Sequence, residues 1–158
     1  MNDLQRVGKP PEVAAETLLI GIGNSGRCDD GLGWAFLDRV HKETAFPGRA
    51  EYRYQLQVED AALVSGAARV VFVDSCTDVV PQGFRWQVCE PSPRFEFTTH
   101  ALTPQAIMYL CRALYGKAPR AYLLLICGTS WKLRTGLSPE AGRCLDQALS
   151  FFREQALH

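Results

Sequence analysis

Apolar residues fall along this chain in short unbroken runs separated by stretches with helical spacing. The runs TLLIGIG (17–23), RVVFVD (69–74) and AYLLLIC (121–127) are apolar at consecutive positions and too short for a buried helix. That is the pattern of a parallel strand covered on both faces. EYRYQLQV (51–58) alternates well enough to predict another strand, and FRWQVC (84–89) predicts a further one after the turn signal Pro81-Gln82-Gly83. Between the strands, Leu32, Trp34, Ala35, Phe36, Leu37 and Val40 recur at helical spacing, and Pro47-Gly48 closes that region. Residues 59–67 suit a short helix. Residues 103–115 suit a longer one, with Thr103 as cap and Pro104 in the first turn, and Ser138-Pro139-Glu140 opens a last helix running to about 155.

Strands thus alternate with helices from end to end, which predicts an α/β fold with a parallel or mostly parallel sheet covered on both faces. The 158 residues suit one domain, expected over 17–158, and the polar stretch 1–16 with Pro10-Pro11 reads as a flexible leader. The 17 basic and 17 acidic residues balance, which argues against non-specific binding to nucleic acid. No apolar run approaches the ~20 residues that span a bilayer, and the first residues lack the apolar core of a secretory signal. A cytoplasmic, membrane-free and monomeric protein is the expectation. The six cysteines form no CxxC pair, so most are expected to be reduced, buried and small rather than metal-binding.

In such sheets, sites gather beyond the carboxyl ends of the strands. The loop GIGNSGRCDDGLG (21–33) satisfies Gly-x-Gly-x-x-Gly formally through Gly21, Gly23 and Gly26. Asp29 and Asp30 follow at the expected helix start, however, and two carboxylates there would repel a pyrophosphate. Either acid alone would have an ordinary role beside the positive end of a helix. Asp74 ends the run RVVFVD, where it either points into the crevice above the sheet or caps the following turn. His100, in FTTHALTPQ, precedes a helix in the same region. Asp30, Asp74 and His100 therefore stand near the ends of three different predicted strands. One imidazole nitrogen and two carboxylates can bind nickel or zinc while leaving coordination positions open.

With those residues in view, the sequence resembles the hydrogenase maturation proteases. LLIGIGNSGRCDDGLGWAFLDRV is similar to that family's opening, in which an apolar strand leads into Gly-x-Gly-Asn, a spacer, an acidic pair and Gly-x-Gly. RVVFVDS is similar to its second acidic strand end, FTTHALTPQAIMYLCRALYG to its histidine segment and helix, and GTSWKLRTGLSPEAGRCLDQAL to its closing strand-loop-helix. The resemblance spans about residues 17–150. It implies a three-layer αβα sandwich and a cytoplasmic endopeptidase without a permanent cofactor, which trims the C-terminus of a hydrogenase large-subunit precursor already loaded with nickel. Carried over motif by motif, the nickel-touching residues are Asp30, Asp74 and His100, with cadmium or zinc as stand-ins for nickel. The same resemblance makes Asp30 and Asp74 the catalytic candidates, supported in the first loop by Gly23, Asn24, Asp29 and Gly31.

Two features depart from the family pattern. The spacer Ser25-Gly26-Arg27-Cys28 is more polar than usual, and residues 126–131 lack the acidic or proline residues common there. Cys28 is read as an ordinary loop cysteine ahead of a ligand or nucleophile, and Trp131, Lys132 and Arg134 as candidates for holding a large substrate. Two other functions fit parts of the pattern. A peptidyl-tRNA hydrolase shares Gly-x-Gly-Asn-x-Gly but would want a histidine where Asp29 and Asp30 stand, and a basic face besides. A non-cleaving assembly chaperone of the same fold would keep the metal triad.

Overall fold

Strand β1 (Thr17–Ile22) is buried along its whole length. It lies one strand in from the edge of a five-stranded sheet with β2 (Arg49–Arg53), β3 (Arg69–Cys76), β4 (Phe84–Val88) and β5 (Arg120–Cys127), in the order β2-β1-β3-β5-β4. The computed structural model describes residues 16–94 and 102–156. β1, β2, β3 and β5 are parallel, and β4 joins β5 antiparallel at one edge. The helices are α1 (Leu32–Glu43), α2 (Asp60–Ser65), α3 (Pro104–Tyr115) and α4 (Pro139–Phe151).

Alternate residues of the central strands feed two separate cores. Leu19, Val71, Val73, Leu124 and Ile126 pack against α1 and α4 through Phe36, Leu37, Leu145 and Leu149. Leu18, Ile20, Val70, Phe72 and Leu123 pack on the other face against α2 and α3 through Val64, Ile107, Met108 and Cys111. With both faces covered, the central strands need apolar side chains at every position, which is why they read as unbroken runs rather than alternations. The result is the expected αβα sandwich with a mostly parallel sheet. No helix among the described residues is long and apolar enough to cross a membrane.

The capping expectations hold at atomic level. Thr103 Oγ1 accepts the Ala106 N–H at 3.0 Å, and Ser138 Oγ accepts that of Ala141 at 3.1 Å, each followed by proline in the first turn. Three boundaries need correction. The strand expected over 51–58 is Arg49–Arg53, because Asp60 bends the chain back: its carboxylate accepts the Gln57 N–H at 2.9 Å and the Arg53 Nε–H at 3.0 Å. The helix expected over 59–67 is α2, Asp60–Ser65. The last α-helix ends at Phe151 and passes into a π-helical turn, Phe152–Ala156.

One close approach fixes how α1 leaves the sheet. A Cβ on Gly33 would stand 2.5 Å from the Val73 carbonyl oxygen and 2.6 Å from that of Ile22. The second residue of α1 thus rests directly on the backbones of β1 and β3. Alanine ordinarily stabilises a helix over glycine by about 1 kcal/mol. Here that preference is expected to reverse: Gly33→Ala should lower the unfolding free energy by about 1–3 kcal/mol, measured by urea denaturation, whereas an unchanged or raised stability would show that the contact can relax.

Candidate active site

The sheet order makes a topological switch between β1 and β3: the chain leaves β1 toward β2 on one side and returns to β3 on the other. Such a switch leaves a crevice beyond the strand ends. The loop after β1 carries Asp30, and β3 carries Asp74 one residue past Val73, the register partner of Gly21. The crevice therefore lies between two acids that are 44 positions apart in sequence.

The loop has little freedom. Gly23 N–H donates to the Arg53 carbonyl at 2.9 Å, Asn24 N–H to the Asp30 carbonyl at 3.0 Å, and Asp30 N–H to the Arg27 carbonyl at 3.0 Å. Asn24 Oδ1 accepts the Gly26 N–H at 2.8 Å. Gly23 has φ +145°, and a Cβ there would lie 2.0 Å from the Asp30 carbonyl oxygen, so no other residue fits. A Cβ on Gly31 would lie 2.9 Å from the Ser25 Cα. Asp29 and Asp30 occupy a 3-10 turn, Cys28–Gly31, ahead of α1, whose own cap, Gly31, has no side chain to offer.

The two neighbouring acids have opposite environments. Asp29 is fully buried. Its Oδ2 accepts the Thr129 N–H at 2.7 Å, the Ser130 N–H at 2.8 Å and the Ser138 hydroxyl at 2.7 Å, and its Oδ1 accepts the Ser138 N–H at 2.7 Å. Burial pushes its acidity toward the neutral form, but the donors of Ser138, Thr129 and Ser130 together outweigh it and hold the carboxyl below its ordinary value. Asp29 is a structural tie between the first loop and the 128–138 segment. Sequence alone gave no sign of this, because its partners lie about 100 residues downstream. Two main-chain bonds extend the seam, Asp29 N–H to the Ser130 carbonyl at 3.0 Å and Cys28 N–H to the Arg134 carbonyl at 2.8 Å.

Asp30 is only partly buried, and burial raises its pKa against the pull of Arg27 and the Asn24 N–H. Asp74 is raised to about 7, first by burial and then by the charge of Asp30, with the Ser75 N–H acting the other way at 2.8 Å. The charge of Asp30 thus adds to the cost of ionising Asp74, the setting in which a nearby cation would favour the ionised form. Among the described residues no set of three His, Cys, Asp or Glu stands ready to hold a metal. Asp30 and Asp74 are two of the three ligands expected from the sequence, and His100, the third, lies outside the described residues.

All six cysteines are free thiols. Burial raises Cys76 to about 11 and Cys89 to about 12, so neither offers a thiolate near neutrality. Cys28 is buried in the loop with φ +48°, an unusual conformation for a residue other than glycine. Lys132 and Arg134 are exposed and Trp131 is half-buried, so the segment expected to hold a partner is at the surface.

The αβα sandwich has counterparts among solved structures. The hydrogenase maturating endopeptidase HybD from Escherichia coli superposes with a TM-score of 0.70 over 87% of this chain and 92% of its own, at 18% identity. The [NiFe] hydrogenase maturation protease HycI from Thermococcus kodakarensis gives 0.64 over 92% and 95%, at 18% identity. A hydrogenase 2 maturation peptidase from a Thaumarchaeota archaeon gives 0.62 over 90% and 99%, at 18% identity. No protein-family model matches the sequence, and no curated protein matches it either. The chain therefore has the fold of the hydrogenase maturation endopeptidases along nearly its whole length.

Asp29→Ala would leave three main-chain N–H groups without their carboxylate acceptor, and should cost about 3 kcal/mol in urea denaturation. Asp29→Asn should cost nearly as much, because its amide nitrogen would face donors; a stable Asn variant would mean the cradle rearranges. Asp74 should behave oppositely. Its folded-state pKa lies above the ordinary 3.8, so the folded protein holds a proton that the unfolded chain has released, and stability drains away as pH rises from about 4 to about 7. Asp74→Asn removes that loss while keeping an acceptor for Ser75. Its melting temperature should exceed the parent's by a margin that grows between pH 4 and 7 and then levels off; a margin independent of pH would remove Asp74 from this account.

Proposed function

We propose that this protein is an endopeptidase that removes the C-terminal extension of a [NiFe]-hydrogenase large-subunit precursor, and that it recognises the nickel which the precursor carries. The observation that supports this reading best is the pair Asp30 and Asp74, flanking the switch point of a fold shared with proteins named as hydrogenase maturation endopeptidases. The nickel belongs to the substrate, and Asp30, Asp74 and His100 are its proposed contacts. A divalent cation between the two carboxyls favours the ionised form of both and displaces the proton that Asp74 otherwise keeps. Docking thereby offsets the unfavourable electrostatics of the empty crevice, while a precursor without nickel gains none of this. Cleavage then reports that the metal has been inserted. In cleavage the substrate's metal would polarise the scissile carbonyl or activate the water, or Asp30 or Asp74 would act as general base with the nickel serving only for recognition.

The test is the intact mass of a matched precursor, with and without nickel, after incubation with the parent protein or Asp30→Ala. A C-terminal peptide should be lost only from the nickel-loaded precursor, and at least about a hundredfold more slowly with the variant. If the parent binds the loaded precursor without shortening it, the protein is an assembly chaperone and the enzymatic reading fails.

A further inference from the structure

A cavity of about 230 Å³ opens next to the acidic loop, between that loop, the outer face of α1 and residues 136–137. It is smaller than the ~300–1,000 Å³ of sites for whole small molecules, which suits it to a single side chain. Cys28 is a buried part of its lining, Trp34, Ala35 and Leu137 supply apolar surface, and Asp38 lies one helical turn beyond Trp34. The lining is held from outside the cavity. Trp34 Nε1–H donates to the Arg53 carbonyl at 3.0 Å, and its ring meets Tyr52 edge-on at 5.6 Å and Tyr54 tilted at 4.9 Å. Asp38 Oδ1 accepts the Tyr52 hydroxyl at 2.6 Å. Burial, then that hydrogen bond and the Asp38 charge, push the Tyr52 phenol upward, so it remains a donor.

The charges nearby are unevenly matched. Arg39 is paired with Glu43 and Asp146, Arg49 with Glu51, and Arg53 with Glu51 and Asp60. Among the described residues Asp38 has no ion-pair partner, although it is exposed at the surface. An apolar slot with an indole along it and an unpaired, oriented carboxylate matches an aliphatic stem that ends in a cation.

We propose that this cavity binds a lysine or arginine side chain of the protein substrate and so selects the segment presented to the acidic crevice. Its lining includes Cys28 and Gly31, which bracket Asp30 in the chain, so a side chain seated here delivers its backbone within one short loop of Asp30. That the occupant comes from a substrate rests on the endopeptidase reading; that it is cationic rests on the cavity alone.

The two parts are separable by titrating the intact protein with N-acetyl-arginine methylamide and with its citrulline counterpart, which has nearly the same shape without the charge. The readout is the Trp34 indole N–H resonance, assigned with Trp34→Phe. The arginine probe should shift that resonance at concentrations at least about fivefold below those the citrulline probe needs. Asp38→Asn should erase the difference and Asp38→Glu should keep it, while the unaltered spectrum of the remaining residues reports an intact fold. Equal responses to both probes, no response of Trp34, or discrimination that survives in Asp38→Asn would each overturn the proposal. Cation-selective binding alongside an uncleaved precursor would instead sink the endopeptidase reading and leave the cation site standing.

Discussion

The site depends on a buried carboxylate. Asp29 has no access to water, and an ionised group there is tolerable only because four strong donors converge on it. All four come from residues 129–138, between the end of β5 and the start of α4, so the charge fastens the first loop to the last loop of the domain. Ser138 serves twice. Its hydroxyl donates to Asp29 and accepts from the first turn of α4, so the tie and the helix cap are one hydrogen-bonded unit. Segments distant in sequence thereby close around the upper end of the sheet, and the backbone that carries Asp30 inherits its position from them.

The contrast between Asp29 and Asp30 shows how little a residue's identity fixes its chemistry. They are adjacent, in the same 3-10 turn, and their acidities move in opposite directions. Burial opposes ionisation in both. For Asp29 the donors win. For Asp30, Arg27 and one N–H are insufficient, and the charge of Asp30 is passed on as an additional burden to Asp74. One acid thus holds the structure, and the other shares an electrostatic problem with a partner across the switch point.

This division marks what the sequence could disclose. The central strands were legible because burial on both faces forces unbroken apolar runs, and α3 and α4 because Thr103-Pro104 and Ser138-Pro139 carry their caps locally. Asp30 and Asp74 stood out through their place after such strands. The division of labour between Asp29 and Asp30 did not, since it is decided by donors that only the fold brings near. β2 was misread for a related reason: EYRYQLQV keeps alternating past Arg53, but Asp60 captures Gln57 and turns the chain. Asp38 likewise looks like any surface acid on α1 until Tyr52, on a neighbouring strand, is seen to orient it.

A crevice of this kind is costly, and the fold concentrates that cost where it can be borne. Asp74 stands at the end of a strand whose preceding residues, Val70 to Val73, are wholly buried between two apolar cores, while Gly33 lets α1 lie directly on the same backbone. The packing beneath is therefore rigid. A rigid support cannot move the acids to relieve this, so the cost of burying the Asp74 carboxyl, with the charge of Asp30 added to it, is carried as a raised pKa on Asp74 instead of as a displaced loop. That is the useful form in which to store it. On the proposed function, an arriving cation would release the Asp74 proton with no rearrangement of the chain, and the free energy recovered would belong to the ligand that brings the positive charge. On that reading, selectivity for a charged centre would follow from the stiffness of the sheet as much as from the acids themselves.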